Sequence, residues 1–223
     1  MTQADRTTAG VAGAERRWPM ALAVLVAIVL SETRPTGLVP PLWRIVGVLE
    51  LILLVVLLLV DPGRIDRRGV WVRRASIALV SLLLADALAS TIGLAHHILD
   101  GSPPANDARD LLLAGGQVWL FTIVVFGLLY WELDGGGSAN RTHHPSRRRD
   151  FAFPQDFTPE VAPRGWSARF HDYLYLGLTG ALAFSPTDAM PLTFRAKFFM
   201  AVESLVSVAI LTLVVARAVN VLQ

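Results

Sequence analysis

An apolar run from Leu42 to Val60 is the feature that most restricts what this chain can fold into. It reads LWRIVGVLELILLVVLLLV, and Arg44 and Glu50 are its only charged residues. A helix needs about 20 predominantly apolar residues to cross roughly 30 Å of hydrocarbon. The composition agrees, because 53% of the 223 residues are hydrophobic, 17% are charged, and the mean hydropathy is +0.50. The sequence therefore predicts an integral membrane protein.

Four further apolar runs complete an all-α, polytopic pattern. We predict a short first helix from Trp18 to about Glu32, spans over Ile77 to Leu99 and Leu111 to Leu133, and a long final helix from Phe194 to Leu222. The first run is short enough to be the core of a signal peptide, but no small-x-small cleavage pattern follows it. The final helix would be about 43 Å long, so it must tilt or protrude from the hydrocarbon.

The polar segments divide the chain into four regions. Residues 1–17 form a polar tail, 18–133 a region of four transmembrane helices, 134–168 a soluble loop, and 169–223 a short helix followed by the final span. Five arginines lie between Asp61 and Arg74, which predicts a cytoplasmic loop. The protein is accordingly expected in the cell membrane as a multi-pass protein with a cytoplasmic N-terminus.

A polar, proline-containing island interrupts the last region. The stretch from 178 to 193 reads LTGALAFSPTDAMPLT and precedes the final helix. The apolar, aromatic segment before it, Asp172 to Phe184, is too short to cross a bilayer as a helix. Irregular backbone at membrane depth is tolerated only when it is buried in protein or lines water. This order of elements is typical of a re-entrant pore unit.

The residues of this unit resemble the pore loop and inner helix of tetrameric potassium channels. The stretch reads DYLYLGLTGALAFSPTDAMPLTFRAKFF. Asp172 and Tyr175 open the pore-helix-like segment, and D-x-x-P-L-T begins at Asp188 as it does in the channels. The resemblance implies a potassium channel-like homotetramer that transports ions. This unit and the YWELDGGG end of the fourth span are also similar to an uncharacterised family of bacterial integral membrane proteins.

The filter differs from that of potassium channels. Where they read T-V-G-Y-G-D, this chain has Ala183, Phe184, Ser185, Pro186, Thr187 and Asp188. The glycines that align backbone carbonyls are absent, and proline removes an amide. We predict a wider pore with a ring of Asp188 carboxylates and hydroxyls from Ser185 and Thr187. Such a pore would pass monovalent cations without fine selection.

Two alternatives to the pore unit remain open for the island. In the first, it is a plain polar turn between two helices. In the second, it belongs to a non-conducting scaffold or accessory subunit with a degenerate pore-like fold. Its topology is also open. If the basic segments before Ile77 and after Leu133 are both cytoplasmic, a re-entrant island opens to the cytoplasm, whereas a full crossing by 166–184 would place it outside.

Ionisable residues inside the spans are candidates for function because they are costly there. Glu50, Asp86 and Glu203 are the deepest. Glu203 and Ser207 stand one turn apart on the final helix, near the face of Arg217, and would line a polar path. Structural roles are the alternative: Glu50 and Asp86 would bond with each other. Glu203 would then pair with one of three basic residues, Arg44, Arg195 or Lys197.

Several function classes are excluded or unsupported. The chain has no cysteine, which excludes disulfides and thiolate metal sites. The net charge is only +2 and the basic residues gather between apolar runs, so we expect the lipid bilayer as a partner and no nucleic acid. Copies of the chain are further expected partners, because the predicted pore would form around the final helix. Adjacent histidines such as His96 and His97 face different ways on a helix, so no metal site is expected. No catalytic or cofactor fingerprint occurs, so we predict neither an enzyme nor a cofactor.

Overall fold

The computed structural model describes residues 15–35, 37–60, 69–143, 148–158, 160–163, 165–183 and 188–221. It is a mostly helical protein. The helices are α1 (Trp18–Glu32), α2 (Arg44–Val60), α3 (Val70–Asp100), α4 (Ala108–Leu133), α5 (Ser138–His143), α6 (Pro154–Phe157), α7 (Phe170–Ala183) and α8 (Phe194–Val221). Short 3-10 turns occupy Pro41–Trp43 and Asp134–Gly136, and two short strands, β1 (Phe151–Ala152) and β2 (Met190–Pro191), pair antiparallel.

Three helices are long and apolar enough to cross a membrane, as expected for a membrane-embedded protein. They are Val70–Asp100, the helical stretch Ala108–Thr142 that includes α4, and Phe194–Val221. α1 is apolar but shorter, at 15 residues, and α2 has 17. The first predicted helix begins and ends where α1 does.

The start of one predicted helix differs from the structure by more than a turn. The third apolar helix begins at Val70 rather than Ile77, so Arg73 and Arg74 are helical and not part of a loop. The reason is that an amphipathic turn can continue a helix beyond the hydrocarbon, where hydropathy no longer marks it. The rest of the predicted arginine loop, residues 61–68, and residues 1–14 of the predicted tail lie outside the described residues.

The segment 134–168 also differs from the solvated loop that we predicted. Its described residues contribute to the packed end of the bundle, where Asp134, Ser138, Arg141, Asp150 and Phe151 are buried. The glycines and arginines that suggested a flexible loop instead make a tight turn. Gly135, Gly136 and Gly137 all have positive φ, at 56°, 84° and 91°, a conformation that glycine adopts readily.

α4 is the central helix, packed against α1, α3, α7 and α8. In its apolar window 61% of the residues are buried, against 28% for α8. α8 therefore lies at the periphery and buries a single stripe at helical spacing. That stripe consists of Ala196, Met200, Glu203, Ser207, Ile210, Val214 and Ala218.

Hydrogen bonds between helix ends define the two ends of the bundle. At the end that we call the basic end, Arg17 before α1 donates to the Leu57 carbonyl of α2 at 2.6 Å. Arg73 of α3 donates to the Gly136 carbonyl just after α4. The starts of α1 and α3 and the ends of α2 and α4 therefore lie together there. At the opposite end, Arg217 of α8 donates to the Ala105 carbonyl before α4 at 3.0 Å.

Candidate functional site

α7 enters the bundle from the basic end, and the chain after it returns to the same end. The Phe170 amide at the start of α7 donates to Glu15 Oε1 at 2.6 Å. Past α7, Asp188 Oδ2 lies 3.5 Å from the Tyr175 hydroxyl in the second turn of that helix. Arg195 at the start of α8 reaches the Leu133 carbonyl at 3.4 Å. The described residues before and after α7 therefore lie at the same end of the bundle.

Only part of the predicted filter lies among the described residues. Ala183 is the last residue of α7, and it is exposed, as is Asp188. Phe184, Ser185, Pro186 and Thr187 lie outside the described residues. The ends of the predicted filter therefore flank a reversal of the chain, and Asp188 lies on the exposed side of α7.

Asp150 holds the segment between α7 and α8 in place. Its carboxylate accepts hydrogen bonds from the Thr193 hydroxyl at 2.6 Å and from Arg195 Nε and Nη2 at 2.7 and 2.5 Å. The Leu192 amide donates to the Asp150 carbonyl at 2.8 Å, extending the pairing of β1 with β2. Burial acts to raise the pKa of Asp150, but the hydrogen bonds from Arg195 and Thr193 outweigh it, so the pKa lies below its ordinary value.

Asp134 holds the same region from the end of α4. This fully buried carboxylate accepts from the Tyr173 hydroxyl of α7 at 2.6 Å and from the Asp150 amide at 2.6 Å. Arg149 Nη1 lies 3.3 Å away. The two aspartates thus join α4, α7 and α8 through the loop between them.

A third carboxylate, that of Glu203, lies between α4, α7 and α8. It is completely buried, and the Tyr130 hydroxyl of α4 donates to its Oε2 at 2.5 Å. Two glycines of α7 make room for it, since a Cβ at Gly180 would lie 2.6 Å from Oε2 and one at Gly177 would lie 3.4 Å from Oε1. Glu203 Oε1 and Ser207 Oγ have no hydrogen-bond partner in the described part of the chain.

The structure brings Glu203 and Ser207 together but separates them from Asp188. Tyr175 and Gly180 are five positions apart, about 140° around a helix, so α7 presents different faces to Asp188 and Glu203. Both Glu203 and Ser207 point into the chain's own interior instead of lining an outer face of α8. The alternative pairings of Glu203 are wrong, since its partner is Tyr130, and Arg195 binds Asp150.

The remaining intramembrane acids lie between α1, α2 and α3. Asp86 is buried, accepts a hydrogen bond from Ser31, and pairs with Arg34 Nη1 at 2.6 Å. The same Arg34 nitrogen donates to Ser90 at 2.7 Å. Glu50 is completely buried, but neither carboxylate oxygen has a hydrogen-bond partner among the residues that the structure describes. Glu50 and Asp86 do not bond with each other as we considered.

The sequence did not reveal which side chains bond to these acids. Tyr130 was noted only within the end of the fourth span, Asp134 and Asp150 were placed in the soluble loop, and Arg34 was not singled out. One signal was available: Gly177 and Gly180, three residues apart, leave one face of α7 without side chains, a pattern typical of close packing. Over the described ranges, no group of three or more His, Cys, Asp or Glu residues could hold a metal ion.

No family model matches the sequence, and neither a curated protein nor a solved structure shows significant similarity to it.

Proposed function

We propose that this chain forms a homo-oligomeric, ion-channel-like membrane protein that passes cations through the segment Ala183 to Asp188. The observation that carries the proposal is the path of the chain, which enters with α7 and returns to the basic end. α7 has 14 residues and is about 21 Å long, less than the roughly 30 Å of a hydrocarbon core. A helix of this length, followed by a return and a long helix, has the order of a re-entrant pore unit.

In the proposed membrane arrangement, α1 to α4 and α8 cross the bilayer and α7 enters it only part of the way. Arg16, Arg17, Arg73, Arg74 and Arg149 all lie in the segments at the basic end. The positive-inside rule puts that end in the cytoplasm of the cell and, with it, the N-terminus. The re-entrant segment then opens to the cytoplasm, the reverse of the arrangement in potassium channels.

A shared pore requires several copies of the chain, because one α7 and its return cannot enclose a channel. Closed symmetry around one axis would bring the copies of Asp188 into a ring of carboxylates that attracts cations. The resemblance to potassium channels implies a tetramer. The outward face of α8 offers apolar surface for such contacts, since Leu205 is 70% exposed and Val215 is 56% exposed.

In this proposal Glu203 and Ser207 position α7 and do not line the shared pore. Glu203 contacts both glycines of α7 and is bonded to Tyr130 of α4, so it holds the re-entrant helix against the two long helices. Loss of this carboxylate would change the placement of the Ala183 to Asp188 segment and would act on permeation indirectly.

A specific observation favours the alternative of a non-conducting scaffold or accessory subunit. The exposed side chains of α8 are mainly apolar, among them Leu205, Val208, Val215 and Val219. A helix that lined a water-filled pore would be expected to present more polar groups there. In this alternative, the re-entrant unit only stabilises the helix bundle.

The test is cation flux into liposomes that contain the purified protein, with potassium compared to sodium. We expect wild-type flux above that of empty liposomes, and lower flux for Asp188→Asn because each subunit loses one charge from the ring. Asp110→Asn is the matched control, since Asp110 is an exposed carboxylate near the start of α4 at the opposite end. It should behave as wild type.

Two results would contradict the proposal. An Asp110→Asn variant that loses flux as strongly as Asp188→Asn would show that surface charge in general, and not the Asp188 ring, governs conduction. An absence of flux from folded, inserted wild-type protein would overturn permeation and favour the scaffold.

A further inference from the structure

Glu50 occupies a position that a permanently charged side chain could not hold. It lies in α2, its exposed fraction is zero, and both of its carboxylate oxygens lack hydrogen-bond partners within the described residues. α1 and α3 are the long helices that pack on α2. A buried carboxylate without a counter-charge or hydrogen bonds is strongly unfavourable as an anion.

The charged groups that face Glu50 leave it without a counter-charge. Glu32 is the charged group on α1, and Arg34 follows two residues after that helix. Asp86 is the charged group on α3. Arg34 Nη1 is bonded to Asp86 at 2.6 Å and to Ser90 at 2.7 Å, so its charge is matched by Asp86. Glu32 carries the same charge as Glu50 and offers no compensation. Among the described residues, no unmatched positive charge therefore faces Glu50.

We propose that Glu50 is a proton-binding site between α1, α2 and α3, independent of the Ala183 to Asp188 segment. A metal ion requires several oxygen ligands at once, and no cluster of three acidic, histidine or cysteine side chains occurs in the described part of the chain. A proton requires a single oxygen. The carboxylate takes up one proton to become a neutral carboxylic acid, and releases it to restore the anion, with no other bond changed.

Gly47 and Glu32 provide a route for this proton from the opposite end of the bundle. Glu32 is the last residue of α1, and it is exposed. Its carboxylate lies directly over Gly47, where an added Cβ would collide with Glu32 Oε1. Gly47 and Glu50 are three positions apart and so share one face of α2. Glu32 therefore collects a proton at the surface, one helical turn from the buried acid.

The first experiment is infrared spectroscopy of the full chain in lipid bilayers, across a pH titration. A protonated carboxylic acid has a carbonyl stretch well separated from that of the carboxylate. We expect a component of this band in wild type at neutral pH, and its loss in Glu50→Gln. Glu203→Gln is the control, because Glu203 is also a completely buried glutamate, and it should leave the Glu50 component in place.

Two outcomes of that experiment would overturn the proposal. Spectra of wild type and Glu50→Gln that coincide at every pH would show that Glu50 binds no proton in the titrated range. A Glu50 component that appears only when sodium is removed would assign the site to a metal cation. Because these readouts do not depend on ion flux, a failure of the proposed channel function would leave them unaffected.

A second variant keeps Glu50 in place and tests the route. Gly47→Ala should displace the Glu32 carboxylate and slow hydrogen–deuterium exchange of the Glu50 acid, without removing its band. Gly116→Ala is the matched control, since a Cβ there would meet nothing within 4 Å. Equal exchange rates in Gly47→Ala and wild type would contradict proton entry through Glu32.

Discussion

The burial of the Glu203 carboxylate depends both on two glycines, which have no side chain, and on one side chain that donates a hydrogen bond to it. Gly180 leaves space for the Glu203 carboxylate, and Gly177 lets α7 lie close to the α4 backbone, where an added Cβ would be 3.1 Å from the Gly127 amide nitrogen. The Tyr130 hydroxyl supplies the hydrogen bond observed at Glu203 Oε2. An ionised acid within a membrane span is costly, and enclosure with a hydrogen-bond donor lowers that cost. Glu203 therefore acts as a specific clamp on the short helix.

Tyr130→Phe tests this clamp. The variant keeps the ring but leaves Glu203 Oε2 without a donor, and we expect the loss of about 1–3 kcal/mol of the free energy of unfolding. Denaturant titration in mixed micelles measures it. Tyr175→Phe is the control, because the Tyr175 side chain is 54% exposed. Equal stability of the two variants would contradict a structural role for the Tyr130 hydroxyl.

Gly180→Ala tests the space that Glu203 occupies. The added methyl group would lie 2.6 Å from Oε2, a separation that Cβ atoms in real proteins essentially never show. We expect a loss of about 1–3 kcal/mol of stability, the range for overpacking a filled core. The same titration measures it, and Gly116→Ala, which adds a methyl group in open space, should not show this loss. A tolerated Gly180→Ala would mean that α7 can shift away without cost.

At the scale of single residues, the sequence identified the buried acids but not the side chains that bond to them. Glu50, Asp86 and Glu203 were recognisable because charge is rare in apolar runs. Tyr130 lies 73 positions from Glu203, and Arg34 lies 52 positions from Asp86. Such pairs depend on how distant helices pack, which the spacing of residues in one helix does not determine.

At the scale of elements, the pairing of β1 with β2 and the Asp150 hydrogen bonds fix where α8 begins. We therefore expect the stability of this junction to depend on pH. Because hydrogen bonding lowers the pKa of Asp150 below 3.8 in the folded chain, its contribution is complete above that value and is lost as the pH falls through the lowered pKa. Asp150→Asn should unfold more easily at neutral pH and show less of this acid-dependent loss.

Unfolding of wild type and Asp150→Asn at a series of pH values, in the same micelles, measures this dependence. Asp156→Asn provides a comparison, since Asp156 lies in the same loop and, among the described residues, accepts a local hydrogen bond from the Phe153 amide at 2.8 Å. Parallel curves for wild type and Asp150→Asn over the acid range would rule out a contribution from Asp150 ionisation.

The helices were easier to predict than the segment that joins them. Hydropathy gave the limits of α1, because its ends coincide with the ends of its apolar run. It could not place the start of α3, where Val70 to Arg74 continue the helix outside that run. The loop 134–168 was predicted as solvated because its local composition is polar. Its order comes from contacts of Asp134 and Asp150 with α7 and α8, which are distant in sequence.

At the scale of the whole molecule, the proposal requires α8 to meet its copies. The chain has no cysteine, so a single Leu205→Cys substitution would place one thiol on the exposed face of α8. We expect oxidation in membranes to give cross-linked dimers, because symmetry brings equivalent positions near the axis. Gel electrophoresis without reductant measures this.

Ile92→Cys is the matched control for this cross-link. Ile92 is as exposed as Leu205, at 69%, but lies on α3. Efficient cross-linking through Ile92 and none through Leu205 would place the subunit contact elsewhere and exclude α8 as the lining of a central axis. The number of subunits could not be predicted from the residues, since it depends on the angle between copies and not on any one segment.

The return of the chain to the basic end also has a consequence for how the protein is made. The segment between α4 and α8 starts and finishes at one end of the bundle. In the proposed arrangement, the insertion machinery never has to carry its arginines through the bilayer. Apart from α7, residues 134–193 can remain on the side where the ribosome delivers them. α7 can then enter the membrane after α8 is in place. The re-entrant unit would then be a late event in biogenesis, completed by packing and not by translocation.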